Sequence, residues 1–411
     1  MHITKVQIYS ILDSRGIPTV AVLLGAGHNF AIGMSPSGAS TGSYEAVELR
    51  DGTTSFGGKD VLQVIARAKA LLWPGIVQVD FADQRAFDAW LHAVDGTKNF
   101  AHLGANISIA ASIAFLKLQA LESQVEVFQE LRTQFPEARF SDQVLTPMVN
   151  VINGGKHASG GLAIQETMIV PLVGTTIREK VMLSAEVFGA LGKLLKQEKY
   201  STAVGDEGGF APPLQYVSQA CELIKTATES LGLSLGKDIG IAFDSAASEF
   251  FQDQTYTLEG QTWNSEQLAM FYQDLTTKYP IISLEDPFAE DDWGGWQQLA
   301  SRLRTGVQVV GDDLTVTNVE RMAMVNEKNL ISAIIIKPNQ IGTISDTMAA
   351  ITLAKQYGWQ TIISHRSGET EDTTIADIAY AVQSKYIKTG SMSRSERLGK
   401  YNRLLYLEQN Y

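Results

Sequence analysis

Ile281-Ile-Ser-Leu-Glu-Asp-Pro-Phe-Ala-Glu-Asp-Asp-Trp293 is an apolar run that climbs to Glu285 and then breaks into an acidic, proline-containing loop. A buried strand that ends on a carboxylate is costly unless something cationic meets it. The pattern recurs downstream and upstream. Ile239-Gly-Ile-Ala-Phe243 runs into Asp244, Val307-Gln-Val-Val310 runs through Gly311 into Asp312, and Ala333-Ile-Ile-Ile336 runs into Lys337. Gln360-Thr-Ile-Ile363 reaches Ser364, His365, Arg366 and Ser367, and Tyr386-Ile387 reaches Lys388. The charged ends at 244, 285, 312, 337, 365 and 388 lie 41, 27, 25, 28 and 23 residues apart, room for one strand, one loop and one helix each time. That cadence predicts an α/β fold of the (β/α)8 barrel kind, with chemistry at the carboxyl ends of the strands.

The first third reads differently. Polar–apolar alternation in Ile3–Tyr9, Thr19–Leu23 and Asn29–Ile32 predicts three strands; from Lys59 the period becomes helical, and Ala105–Leu121 is a long Ala- and Leu-rich helix. The periodicity lapses around the proline of Gln134–Ser141, and an apolar strand, Val144–Val151, follows. We therefore expect an N-terminal α+β unit over 1–138 and a modified barrel over 139–411.

Composition narrows the function. The chain has 411 residues with 45% hydrophobic content, enough for a sizeable core, and 33 basic against 45 acidic residues leave a formal charge of −12. That balance disfavours a broad attraction to nucleic acid or anionic membrane, so an anionic substrate must be met by local cations. The lone Cys221 rules out an internal disulfide framework and fits a reducing compartment. The start at Met1-His-Ile-Thr-Lys5 carries no secretory pattern, and no apolar run approaches the roughly 18 residues of a membrane span.

Other segments carry chemistry less plainly. Pro36-Ser-Gly-Ala-Ser-Thr-Gly42 reads as a flexible loop; it lacks the Gly-Lys-Ser/Thr of a nucleotide P-loop, but such a loop can close over a site and offer oxygens to a metal. His157, in Asn153–Ala158, reads on its own as a satisfied loop or core histidine. Glu166 lies in an apolar run between Ile164 and Met168, so it must pair or face a polar cavity. Asp206 and Glu207 stand between glycines in Thr202–Pro212, either as a solvated turn or as functional acids.

Asp244, Glu285 and Asp312 end three successive strands, so their carboxylates converge at one rim of a barrel. Three like charges at that range raise one another's pKa unless a cation sits between them. Oxygen-only ligands favour a hard ion, with magnesium first. On the opposite arc stand Lys337, His365, Arg366 and Lys388. Arg366 beside Ser367 suits a phosphate, and a separate lysine suits a carboxylate. Lys337, near a divalent ion and another cation, is expected to have a depressed pKa and to act as a base. The set describes proton abstraction next to a carboxylate.

At this point the residues resemble a known family. Asp13–Gly16, Ser37–Gly42, Gly205-Asp-Glu-Gly-Gly209, Gly311-Asp-Asp-Leu314, Ser364-His-Arg-Ser-Gly-Glu-Thr-Glu-Asp372 and Ile387–Gly390 are similar to the enolases nearly end to end. The resemblance implies reversible dehydration of 2-phosphoglycerate to phosphoenolpyruvate through an enolate, with Lys337 as base and Glu207 as acid. It further implies two Mg2+ per site, the first held by Asp244, Glu285 and Asp312 and the second with help from Ser40. Arg366 and Ser367 would hold phosphate, Lys388 carboxylate, and His157, Gln165, Glu166 and His365 would complete the pocket. A small phosphorylated substrate, a homodimer or larger homo-oligomer, and a cytoplasmic location are the corresponding expectations. Thr167, Pro338 and Ile17 stand where the family usually carries Phe, Val and Asn; none removes a chemical group. Pro338 should hold Lys337 in extended backbone.

Overall fold

The computed structural model describes residues 1–38, 42–141, 143–155, 161–303 and 306–411. The three expected N-terminal strands form an antiparallel meander of β1 (Lys5–Leu12), β2 (Pro18–Ala26) and β3 (Asn29–Met34). Helices α1 (Leu62–Ile76), α2 (Gln84–Asp95), α3 (Ala105–Glu122) and α4 (Val127–Gln134) follow. Helix α3 is apolar on every side for a reason: Ala110, Ala114, Phe115 and Leu118 pack into the N-terminal core, whereas Ile109, Ile113 and Leu116 pack into the core of the barrel. An all-round apolar helix belongs between two layers. Gly33 of β3 lets that helix come close, since a Cβ there would lie 2.1 Å from the carbonyl oxygen of Ala110.

The remainder supplies the eight barrel strands and their helices. In chain order they are β4 (Thr146–Asn153), β5 (Glu166–Pro171), α5 (Ile177–Gln197), α6 (Val217–Glu229) and β6 (Ile239–Asp244), then a small three-strand sheet of β7 (Phe251–Gln252), β8 (Thr255–Leu258) and β9 (Gln261–Trp263). After it the βα cadence is regular: α7 (Ser265–Lys278), β10 (Ile281–Glu285), α8 (Trp293–Arg302), β11 (Gln308–Gly311), α9 (Val319–Glu327) and β12 (Ala333–Ile336). It closes with α10 (Pro338–Ile341), α11 (Ile344–Gln356), β13 (Gln360–Ser364), α12 (Thr374–Val382), β14 (Tyr386–Lys388) and α13 (Ser395–Asn410).

The strands close into a barrel in the order β10-β11-β12-β13-β14-β4-β5-β6. Seven run the same way. β5 runs against both neighbours, pairing antiparallel with β4 and with β6. That reversal brings the first residue of β5, Glu166, to the rim where the other strands end.

Side-chain alternation explains why the charges point inward. Ala333 and Ile335 fill the barrel interior while Ile334 and Ile336 face the helices, so the next interior position is Lys337. The same parity carries Ala242 to Asp244, Val310 to Asp312, Ile362 to Ser364, and Met168 to Glu166. Among the described residues, no helix is long and apolar enough to cross a membrane.

Candidate active site

Strand register sets the acids side by side. Glu166 is opposite Asp244, and Asp244 opposite Glu285, on three adjacent strands, with neighbouring strands roughly 4.8 Å apart. Asp312 follows one strand on, just past Gly311. Lys388 ends β14 in register with Ser364. These residues surround a small cavity at the carboxyl rim, lined by Gln165, Glu166, Glu207, Asp244, Asp286, Asp312, Asp313, Lys337, Ser364, His365, Arg366, Ser367 and Lys388 among others. Glu285 lies fully buried beneath it.

Cations and acids interleave more than two separate arcs would allow. Lys388 Nζ reaches Glu166 Oε1 at 3.0 Å, Asp244 Oδ2 at 2.7 Å and Glu285 Oε1 at 2.7 Å. Lys337 Nζ pairs with Asp312 Oδ2, whose other oxygen accepts from Gln340 Nε2 at 3.0 Å. Gln165 Nε2 donates to Asp244 Oδ2 at 3.3 Å. Burial, reinforced by neighbouring acids, holds Glu166 and Glu285 well above the usual carboxylate range despite Lys388. For Asp312 burial pushes up, but Lys337 and Lys388 outweigh it and the net shift is downward.

The protein's own charges around Lys337 act against the depression expected beside a divalent ion. Burial pushes its pKa down, as do Arg366 and Lys388, yet the paired Asp312 carboxylate with help from Glu285 more than offsets them, and the net shift is upward rather than downward. The nearest charge decides: a carboxylate in direct contact outweighs cations farther away. Its backbone is extended, with φ −122° and ψ 108°, and Pro338 begins α10 directly after it.

Arg366 is buried and bidentate with Glu45 of the N-terminal unit, at 2.8 and 3.2 Å. Glu207 projects from the 205–209 turn; Asn150 Nδ2 donates to its Oε2 at 2.9 Å, and His365 Nε2 lies 3.6 Å from its Oε1. The segment leading to the Ser37–Gly42 loop is zipped to the barrel, Ser37 and Gly368 exchanging backbone hydrogen bonds at 2.7 and 2.9 Å. Ser40 and His157 lie outside the described residues.

Glu45, Asn150, Gln340 and Arg397 are site contacts that the sequence reading missed. Arg397 carried a signal: it shares a helical face with Lys400, Tyr401, Leu404 and Leu407, all buried, and a cation on an apolar face needs a partner.

The donor set fits a hard cation. Among the described residues six acids line the cavity, Glu166, Glu207, Asp244, Asp286, Asp312 and Asp313, against three fixed cations, Lys337, Arg366 and Lys388. Among the described residues, buried oxygens of Glu166, Glu285 and Gln165 (Oε2, Oε2 and Oε1) find no hydrogen-bond partner, which is costly unless another donor or an ion meets them. Among the described residues two groups have ligand atoms within 4.8 Å of one another: Glu166, Glu207 and His365, and Asp286, Asp312 and Asp313. Burial and the Asp312 charge push Asp313 up to about 8, a further sign of excess negative charge.

A closed barrel of eight strands, seven of them parallel, with acids and lysines converging in one small cavity at its carboxyl rim defines the class: a (β/α)8-type barrel whose rim can support acid–base chemistry beside a cation. Residues 142–411 match the family "Enolase, C-terminal TIM barrel domain" and residues 3–131 match "Enolase, N-terminal domain". The chain belongs to the enolase family, whose members bind Mg2+ and include lyases.

Proposed function

We propose that the protein catalyses the reversible dehydration of 2-phospho-D-glycerate to phosphoenolpyruvate, the step of that name in glycolysis and gluconeogenesis, through an enolate. Members of the wider superfamily catalyse other reactions, and one observation favours this one. A single buried cavity is lined both by two proton-transfer candidates, Lys337 and Glu207, and by a set of groups suited to a substrate with two anionic ends, Arg366, Ser367 and Lys388. Arg366 and Ser367 at one end and Lys388 at the other suit a phosphate and a carboxylate on one small substrate.

In this reading Lys337 removes the α-proton and Glu207 donates a proton to the departing β-hydroxyl. Arg366 and Ser367 hold the phosphate and Lys388 the carboxylate, with Gln165, Glu166, His157 and His365 completing the pocket. Asp244, Glu285 and Asp312 would hold one Mg2+, and Ser40 would help hold a second. Bound there, Mg2+ would offset the charge that gathers on the carboxylate oxygens as the proton leaves. Lys337 must be neutral to act, so the pull of Asp312 on its proton must be relieved when the site is loaded. Glu45 holds Arg366 from the N-terminal unit, so both units contribute to the anion end. A homo-oligomer built from dimers in the cytoplasm belongs to the same proposal.

An absorbance assay for phosphoenolpyruvate, run with Mg2+ and with a chelator, tests the reading. Product should form only with the metal. No phosphoenolpyruvate from 2-phosphoglycerate at saturating Mg2+ would overturn it.

A further inference from the structure

Arg397 lies on α13 with a fully buried side chain. Its Nη1 is 2.6 Å from His365 Nδ1 and also donates to the Arg366 carbonyl at 2.8 Å. Its Nη2 donates to the carbonyls of Ser367 at 2.6 Å and Asp206 at 3.0 Å, with Ser14 Oγ at 3.5 Å. The guanidinium is thus clamped between the loop that carries Glu207 and the loop that carries His365, and it cannot swing away without breaking several bonds at once.

A guanidinium has five donors, no acceptor, and keeps its charge in proteins. At 2.6 Å, then, the lone pair must come from His365 Nδ1. A neutral imidazole that accepts at one nitrogen carries its proton on the other. We propose that Arg397 is a positioning residue that locks His365 as the neutral Nε2–H tautomer, a fixed hydrogen-bond donor facing Glu207, barred from acting as a base or as a metal ligand. Burial, together with Arg397, Lys388 and Lys337, pushes His365 well below its usual range against the pull of Glu207, in keeping with a neutral ring.

The assignment bears on the one group of potential ligands that contains a histidine. Glu166, Glu207 and His365 are close enough to hold an ion, but Nδ1 is taken by Arg397 and Nε2 bears a proton, so no histidine lone pair remains for a metal. Oxygen donors alone are left, and the preference for a hard cation is enforced from α13. The use of this donor in catalysis rests on the proposed dehydration; the tautomer does not.

The test is a nitrogen–proton correlation spectrum of the full-length protein with 15N-labelled histidine, recorded without substrate. His365→Gln identifies the signal among the six histidines. We expect a protonated Nε2 and a lone-pair Nδ1, unchanged across the neutral pH range. A protonated Nδ1, or a doubly protonated ring, overturns the proposal. Arg397→Lys, still a donor-only cation, should keep the tautomer. Arg397→Gln, whose amide oxygen can accept, should let the ring switch to Nδ1–H. With that switch kcat should fall, with KM changing less. A Gln variant that folds, keeps the Nε2–H ring and keeps full kcat would sink the idea. Should either variant fail to fold, the spectrum of the unmodified protein decides alone. Because that spectrum needs no turnover, a protein inactive on 2-phosphoglycerate would still answer the tautomer question.

Discussion

Asp88 offers a quantitative test of how the N-terminal unit grips the barrel. It lies buried on α2, where its carboxylate accepts from Ser112 Oγ at 2.6 Å, Gln84 Nε2 at 3.0 and 3.1 Å, and the Ser345 N–H at 2.9 Å. Ser112 Oγ in turn accepts from the Ile344 N–H at 2.9 Å. Two side chains of one unit thus satisfy the free N–H groups that begin α11 in the other, just beyond Lys337 and α10. Burial outweighs these hydrogen bonds and raises the carboxyl from 3.8 to about 6. A folded pKa above the unfolded one means that the native state binds more protons between those values, so stability contributed at low pH is lost as pH rises through about 6. The rise corresponds to about 3 kcal/mol. Asp88→Asn does not titrate. It should lose a constant ~1–3 kcal/mol, because its amide NH₂ meets donors that formerly had an acceptor. Against the unmodified protein it should then regain up to about 3 kcal/mol as pH climbs from 3.8 to about 6. Urea unfolding of both proteins at several pH values measures the difference. A difference that stays flat through that window, or slopes the other way, refutes the argument.

Lys337→Ala should lose both product formation and exchange of the substrate α-proton with deuterated water by at least the ~10²–10⁴-fold of a missing general base. Glu207→Gln should retain exchange while dehydration stalls; NMR of the α-proton separates the two, and the opposite pattern would reverse the roles. Asp312→Asn should weaken Mg2+ binding and activity together, with partial recovery at raised Mg2+. Unchanged Mg2+ affinity by calorimetry would remove Asp312 from the metal site. Gly33→Ala would drive a methyl into the backbone of α3, an overpacking cost of typically ~1–3 kcal/mol; an unaltered thermal midpoint would contradict the close β3–α3 approach.

The barrel was legible because apolar runs of strand length, each ending on a charged or polar group, recur at βα spacing, and because a buried charge is tolerated only where a strand opens onto a polar rim. Parity within each strand then decides which residues face inward, and the run Ala333–Ile336 alone carries Lys337 into the cavity. Such one-dimensional signals need no knowledge of neighbours. The direction of β5 did need it. An apolar run reads the same in either sense, and only pairing with β4 and β6 reverses it and brings Glu166 to the rim. Charge balance was likewise decided in three dimensions. Sequence order separates Lys388 from Glu166, Asp244 and Glu285 by a hundred residues or more, yet barrel closure puts its Nζ within 3.0 Å of all three. Lys337 is pulled up rather than down for the same reason, because the sign of a pKa shift follows the nearest partner, and nearness is a property of the closed barrel. Arg397 lies 32 residues from His365, on a helix whose pattern announces only a buried cation, and the nitrogen it takes follows from the packing of α13 beneath the rim.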